Sequence, residues 1–89
     1  MRAIITVVGK DKVGIIAAVT AIIADTGSNI LDINQTVMQD FFTMITLVDI
    51  EKLNIPFSQF KERLSELGEK MGLSIRIQRE EIFTAMHRI

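Results

Sequence analysis

The residues of this chain that are best placed to hold a small charged molecule form a short loop, GKDKVG, at residues 9–14. The loop has the glycine spacing that opens a phosphate-binding P-loop. That motif also needs Lys and then Ser or Thr directly after the second glycine, to reach the phosphates and magnesium. Ile15 and Ile16 follow Gly14 instead. The spacing therefore does not indicate a nucleotide site.

A carboxylate suits the same loop better. A helix that begins at about Gly14 leaves its first backbone N–H groups without intrahelical partners, and its dipole adds partial positive charge there. Gly14 lets a ligand approach the backbone closely. Asp11 could accept a hydrogen bond from an ammonium group or could instead cap the helix. The loop would suit an α-amino acid, but a strand–helix turn without a ligand, flanked by solvated Lys10 and Lys12, is the open alternative.

Other kinds of site find little support in the sequence. The chain has no cysteine, which excludes disulfides, thiolate metal sites and thiol catalysis. His87 is the only histidine, and no His or carboxylate pair stands beside it at metal-ligand spacing. The first loop has neither a histidine to activate a nucleophile nor an arginine to stabilise an oxyanion. We therefore expect no metal, no cofactor and no enzyme activity.

Composition limits the partners. Ten Lys and Arg against eleven Asp and Glu give a net charge of −1 and a pI near 5.7, which lacks the basic footprint of a nucleic-acid-binding protein. The longest mostly apolar stretch, residues 13–24, is too short to span a bilayer, and the chain starts without a secretory signal pattern. We expect a cytoplasmic protein that binds neither nucleic acid nor membranes.

Hydrophobic periodicity predicts the first four elements. Residues 3–8, AIITVV, are β-branched on both faces, which is typical of a strand covered on both sides. A helix follows over 14–25 and stops at Gly27. Residues 29–38 mix polar and apolar positions, as an edge strand does, whereas 41–50 are apolar on both faces and predict a central strand.

The second half of the chain predicts a helix and a strand. Asn54 can cap a helix in which Pro56 occupies the first turn, and the amphipathic stretch that follows ends at Gly72. Alternation over 73–78 predicts a half-exposed strand. The order βαββαβ predicts an α+β, ferredoxin-like fold, with a four-stranded antiparallel sheet, two helices on one face, and the first and third strands in the centre.

The end of the chain is unusually apolar. Ile82, Phe83, Met86 and Ile89 recur at helix-compatible spacing. We therefore divide the chain into a domain over 1–80 and a tail over 81–89 that docks, as a short helix or extended, on the sheet or on a neighbouring subunit. Because 48% of the residues are hydrophobic, we also expect a homodimer or a higher homo-oligomer.

One family matches these features residue by residue. The segment GKDKVGIIAAVTAIIADTGSNI with the following LDINQTV resembles the ACT domain, over roughly residues 2–79. ACT domains are small ferredoxin-like regulatory modules that usually bind amino acids. Their pattern of Asp or Asn, a variable residue, often proline, and glycine falls on residues 11–14. Their second pattern, Gly, any residue, Asn and Ile, falls on residues 27–30.

The resemblance implies a ligand site between subunits, where the first loop of one meets the start of the second strand of its neighbour. The residues this implies are Asp11, Lys12, Val13, Gly14 and Ile15, with Asn29 and Ile30 from the partner. Val13 replaces the frequent proline, which makes the loop less rigid. Gly9 stands where some serine-binding members have histidine, so serine specificity is not implied.

The resemblance also implies a role. ACT domains usually accompany an enzyme or a DNA-binding domain, whereas this chain looks like a free-standing ACT protein, similar to half of the two-ACT repressor of glycine cleavage. By analogy it is a non-catalytic sensor or regulator in amino-acid metabolism, with a regulated protein as a further partner. The alternative is a protein-interaction or dimerisation module whose loop is empty.

Overall fold

The computed structural model describes residues 1–82, and the tail residues predicted to dock, 83–89, lie outside the described residues. Strands and helices follow each other in the predicted order βαββαβ. They are β1 (Arg2–Lys10), α1 (Ile15–Asp25), β2 (Asn29–Met38), β3 (Phe41–Asp49), α2 (Phe57–Met71) and β4 (Ser74–Arg79).

The strands form one antiparallel sheet in the order β2-β3-β1-β4. The prediction that the first and third strands are central is thus confirmed, and so is the edge position of β2. This order is that of the ferredoxin-like fold. The connection through α1 places β2 on the far side of β3, and the connection through α2 places β4 on the far side of β1.

Both helices pack on one face of the sheet. Alternate residues of the central strands point toward them, as the two-residue period of a strand requires. The buried side chains of this core are Ala3, Ile5, Val7, Phe42, Met44, Thr46 and Val48 from β1 and β3, Ile15, Val19 and Ile23 from α1, Phe60 and Leu64 from α2, Ile77 from β4, and Ile50 and Leu73 beside the strands.

The other face of the sheet, here called the open face, carries no helix or strand among residues 1–82. It consists of the strand residues that alternate with the core set. Val8 and Ile45 on this face are 40% and 43% exposed. The prediction that β1 is covered on both sides is therefore wrong for the described part of one chain. Its β-branched residues on this face favour the extended backbone without being covered.

Glycines end both helices, as predicted. Gly27 has a φ of 78°, and its N–H and that of Ser28 donate to the carbonyls of Ala24 and Ile23 at 3.2 and 3.1 Å. This paired bonding satisfies carbonyls that the end of α1 would leave unpaired. Gly72, with a φ of 71°, ends α2.

Asn54 does not cap α2, so that prediction is wrong. Its side-chain Nδ2 donates to the carbonyl of Asp25 at 3.0 Å, and its backbone N–H donates to the carbonyl of Thr26 at 2.9 Å. Asn54 is held at the C-terminal end of α1 by these two bonds. Pro56 occupies the N-cap position of α2, which has no side-chain cap.

Candidate functional site

The loop after β1 leads into a helix whose first turn is uncapped. Gly14 is the N-cap of α1, with φ 90° and ψ 4°, and no side chain caps the helix. The first intrahelical hydrogen bond runs from the N–H of Ala18 to the carbonyl of Gly14 at 2.9 Å. The N–H groups of residues 15–17 come before it and have no intrahelical acceptor. Asp11 therefore does not act as the cap.

The space in front of this turn is open. Apart from Gly14 and its two neighbours in the chain, no atom of residues 1–82 lies within 4 Å of the position that a Cβ of Gly14 would occupy, so these residues do not hold Gly14 by close packing. Its positive φ is a conformation that glycine adopts readily and other residues rarely do. Val13 beside it is fully exposed. A small ligand could reach the backbone here without displacing any described side chain.

Contacts with two other parts of the chain hold the loop in place. The N–H of Asp11 donates to the carbonyl of Asp40 in the β2–β3 turn at 2.7 Å. The Nζ of Lys12 donates to the carbonyl of Met71 at the end of α2. The sequence predicts that Lys12 is solvated without a partner. Its side chain is exposed, but it makes this hydrogen bond. The loop is thus anchored before any ligand arrives, which lowers the entropy that binding must remove.

The loop residues do not contribute in the same way. The side chain of Ile15 is buried in the core, so only its backbone can face a ligand. The carboxylate of Asp11 is exposed and takes part in no hydrogen bond or ion pair with the described residues. Gly9 lies against Leu73, whose Cδ2 would be 2.5 Å from a Cβ at position 9. A larger side chain at position 9 would collide with the α2–β4 turn.

Asn29 and Ile30 lie at the opposite end of the sheet from this loop. Lys10, just before the loop, pairs with Phe41, whereas Asn29 pairs with Asp49 at the far end of β3. Eight residues of extended strand separate those two ends, which is about 26 Å. One chain therefore brings together residues 11–15 but does not bring Asn29 or Ile30 to them.

Asn29 borders a surface depression of about 420 Å³ at the start of β2. The depression is lined by Gly27, Ser28, Asn29, Asp49, Glu51 and Lys52. Sequence reasoning missed Asp49, Glu51 and Lys52, because only the pairing of β2 with β3 brings them beside Asn29. Ile30, by contrast, is half-buried and packs against the core, so its backbone is the part available to a ligand.

The β2 edge, the free side of residues 29–38, is exposed over nearly its whole length. Nine of its ten residues are exposed. Val37 among them is 53% exposed. The large apolar side chains of this edge are Leu31, Ile33, Val37 and Met38. The strand has a register shift between Ile30 and Asp32 but no lysine or proline, the residues that usually keep an edge strand from pairing.

Neither a cluster of metal-ligating side chains nor a membrane-spanning helix occurs in the part of the chain that the structure describes. Residues 1–82 contain no group of three or more His, Cys, Asp or Glu side chains arranged to hold a metal ion. No helix in that range is long and apolar enough to cross a membrane.

Known proteins resemble this chain in sequence and in fold. The family model of the ACT domain matches residues 2–78. A UPF0237 protein from Clostridium acetobutylicum is 55% identical over 89 residues, which cover both chains completely. An ACT domain protein from Streptococcus pneumoniae superposes with a TM-score of 0.80 at 43% identity, covering 93% of each chain. A protein described as a glycine cleavage system transcriptional repressor matches 88% of this chain and 44% of its own, with a TM-score of 0.76 at 26% identity.

Proposed function

The chain belongs to the ACT domain family, a regulatory ligand-binding fold, and we propose that it binds an amino acid at the interface of a homodimer. The observation that carries this proposal is the uncapped first turn of α1, which faces open space from an anchored loop. We assign it a non-catalytic, cytoplasmic role as a sensor or regulator in amino-acid metabolism. Its similarity to a protein described as a transcriptional repressor supports a regulatory role.

The loop supplies groups for both charges of an amino acid. The carboxylate accepts hydrogen bonds from the N–H groups of residues 15–17, where the helix dipole adds positive charge. The ammonium group donates to the exposed carboxylate of Asp11. Lys12 and Val13 shape the loop around the ligand, while Gly14 leaves room for it.

A second subunit completes the site through the β2 edge. If two β2 strands pair antiparallel about a two-fold axis near the middle of the strand, Asn29 of the partner subunit lies beside Met38. Asp40 follows Met38 by two residues, and its carbonyl accepts a hydrogen bond from the N–H of Asp11 in the loop. The partner's start of β2 then reaches the loop that its own chain places about 26 Å away. The same pairing covers the exposed apolar side chains of the edge.

Thermal unfolding with each of the twenty amino acids, one at a time at millimolar concentration, tests the proposal. A ligand at 100 times its Kd adds about 2.7 kcal/mol of stability, which raises the Tm by several degrees in a domain of this size. We expect one or two amino acids to produce such a shift. A flat panel would contradict the proposed ligand.

A flat panel would favour the second candidate, an interaction or dimerisation module without a ligand. The exposed β2 edge supports that function directly, because unpaired strand edges with apolar side chains bind other strands. In that case a regulated protein, rather than an amino acid, is the partner to seek.

A further inference from the structure

β4 forms the second edge of the sheet, on the side opposite β2. Among residues 1–82 its one strand partner is β1, which leaves the other side of β4 without a neighbouring strand. The backbone of an edge strand can pair with a strand from another molecule. The side chains beside this edge therefore decide which kind of strand can be added to it.

A groove of about 260 Å³ lies between α2 and this edge. On the helix it is lined by Lys61 and Ser65, which are four residues apart and so share one face of α2. On the strand it is lined by residues 75–78. These described lining residues include two cations, Lys61 and Arg76, and no carboxylate. The groove therefore favours an anionic partner.

A third cation stands at the end of the strand. Arg79, the last residue of β4, is exposed and has its guanidinium 5.1 Å from the ring centre of Phe57. Phe57 comes four residues before Lys61 and lies on the same face of α2. The face of an aromatic ring attracts a cation but does not neutralise it. Arg79 thus adds positive charge on the helix side of the edge.

These charges select the strand that can pair with β4. Opposite charges on neighbouring strands stabilise a sheet, whereas like charges destabilise it. A second copy of β4 would bring another Arg76 and another Arg79 to the edge, and like charges disfavour that pairing. β2 contains neither Lys nor Arg, which suits the pairing between copies proposed for it. A strand that carries glutamate or aspartate suits β4 instead.

We propose that the β4 edge is the docking site for an extended, acidic segment of a partner protein. Arg76 alternates with buried Ile77 and points to the open face, where it meets the carboxylates of one register of the added strand. In the other register the carboxylates meet Lys61 and Arg79 in the groove. A dimer paired through β2 keeps β4 at its two outer ends. The proposal does not depend on whether the loop binds an amino acid.

A heptapeptide of alternating glutamate and threonine tests the proposal. It is titrated into the isotopically labelled full chain and followed by NMR. We expect the amide signals of β4 and of residues 57–65 in α2 to shift, with an affinity that falls as salt is added. Shifts that are absent from β4, or that appear only in β2, overturn the proposal. An affinity that is independent of salt also overturns it.

Two further peptides separate charge from strand pairing. The peptide with lysine in place of glutamate can pair but carries the wrong charge. The glutamate peptide with methylated backbone nitrogens keeps its carboxylates but cannot donate hydrogen bonds to β4. We expect neither peptide to shift the β4 signals. Shifts from the lysine peptide equal to those from the glutamate peptide would mean that the edge binds any strand, and equal shifts from the methylated peptide would mean that no strand is added. Either result contradicts the proposal.

Charge reversal on the protein provides a matched control. We expect Lys61→Glu combined with Arg76→Glu to weaken binding of the glutamate peptide about tenfold. Both side chains are exposed, so the fold should be preserved. Lys52→Glu combined with Lys70→Glu makes the same change in net charge at exposed positions outside the groove, and it should have a much smaller effect. Equal weakening by the two double variants would mean that net charge, rather than the β4 edge, governs binding.

Discussion

The side chain of Lys12 closes the end of α2 by donating to the carbonyl of Met71, 59 residues further along the chain. A cation at this position also interacts favourably with the negative end of the helix dipole. The loop that we propose binds the ligand is thereby connected to the second helix. A change in the position of the loop therefore alters the contacts at the end of α2 through the side chain of Lys12.

Lys12→Met removes this connection while keeping much of the aliphatic stem. We expect a loss of about 0.5 kcal/mol in the free energy of unfolding, measured in urea, because the pair is exposed and contributes modestly. We also expect faster hydrogen exchange at Leu73, whose N–H bonds to Gly68 in the same turn. Lys10→Met is the matched control in the same loop. Equal effects of the two substitutions would contradict the role given to Lys12.

Among residues 1–82, two threonines are fully buried, and they should respond with opposite signs to the same substitution. The hydroxyl of Thr46 has no hydrogen-bond partner among the described residues, whereas the hydroxyl of Thr26 bonds to the carbonyls of Ile22 and Ile23. We expect Thr46→Val to stabilise the fold by about 1 kcal/mol, and Thr26→Val to destabilise it by about 1 to 2 kcal/mol. Thermal and urea unfolding measure both. Destabilisation by Thr46→Val would show that its hydroxyl is satisfied.

The opposite placement of Asp11 and Asn29 allows a complementation experiment. We expect the Asp11→Ala and Asn29→Ala homodimers each to lose the response to the amino acid found by the thermal panel. When the two variants are mixed and allowed to exchange, each heterodimer regains one site with both native residues. Calorimetry should therefore recover one site per heterodimer. No recovery, despite exchange shown by native mass spectrometry, would mean that the site does not span subunits.

Charge on the β2 edge should break the homodimer. Ile33 lies near the middle of β2 and is 40% exposed, so Ile33→Lys places two like charges close to the proposed two-fold axis. We expect light scattering at micromolar concentration to give a dimer for the native chain and a monomer for this variant. Ser65→Lys adds the same charge to the exposed side of α2 and should leave the dimer intact. A monomeric native chain would refute the dimer itself.

Local sequence was sufficient for the elements and their order. Gly27 and Gly72 marked the ends of both helices because a left-handed residue there is a local requirement that glycine meets best. The two most apolar strand patterns marked the centre of the sheet. These features depend on residues close together in the chain.

Features that depend on distant residues were not predictable. Asn54 looked like a cap for the helix that follows it, but its partners lie 29 residues back, at Asp25 and its neighbour. Lys12 looked solvated for the same reason. The depression around Asn29 needs the β2–β3 register, which no single-strand pattern contains. The expectation that β1 is covered on both sides did not hold among residues 1–82, because Ile, Val and Thr favour strands whether or not a layer covers them.

The separation of the loop from Asn29 along β2 has a consequence for how the proposed dimer responds to its ligand. Each of the two sites combines the loop of one subunit with Asn29 of the other, so the sites must lie at the two ends of the paired β2 strands. Each bound molecule then contacts both subunits across the same interface. Subunit association and ligand binding then strengthen each other reciprocally. Because each dimer holds two sites that a monomer lacks, the apparent association constant rises with the square of (1 + L/Kd), where L is the ligand concentration. In such a protein, the fraction of chains that are dimeric rises with the concentration of the amino acid.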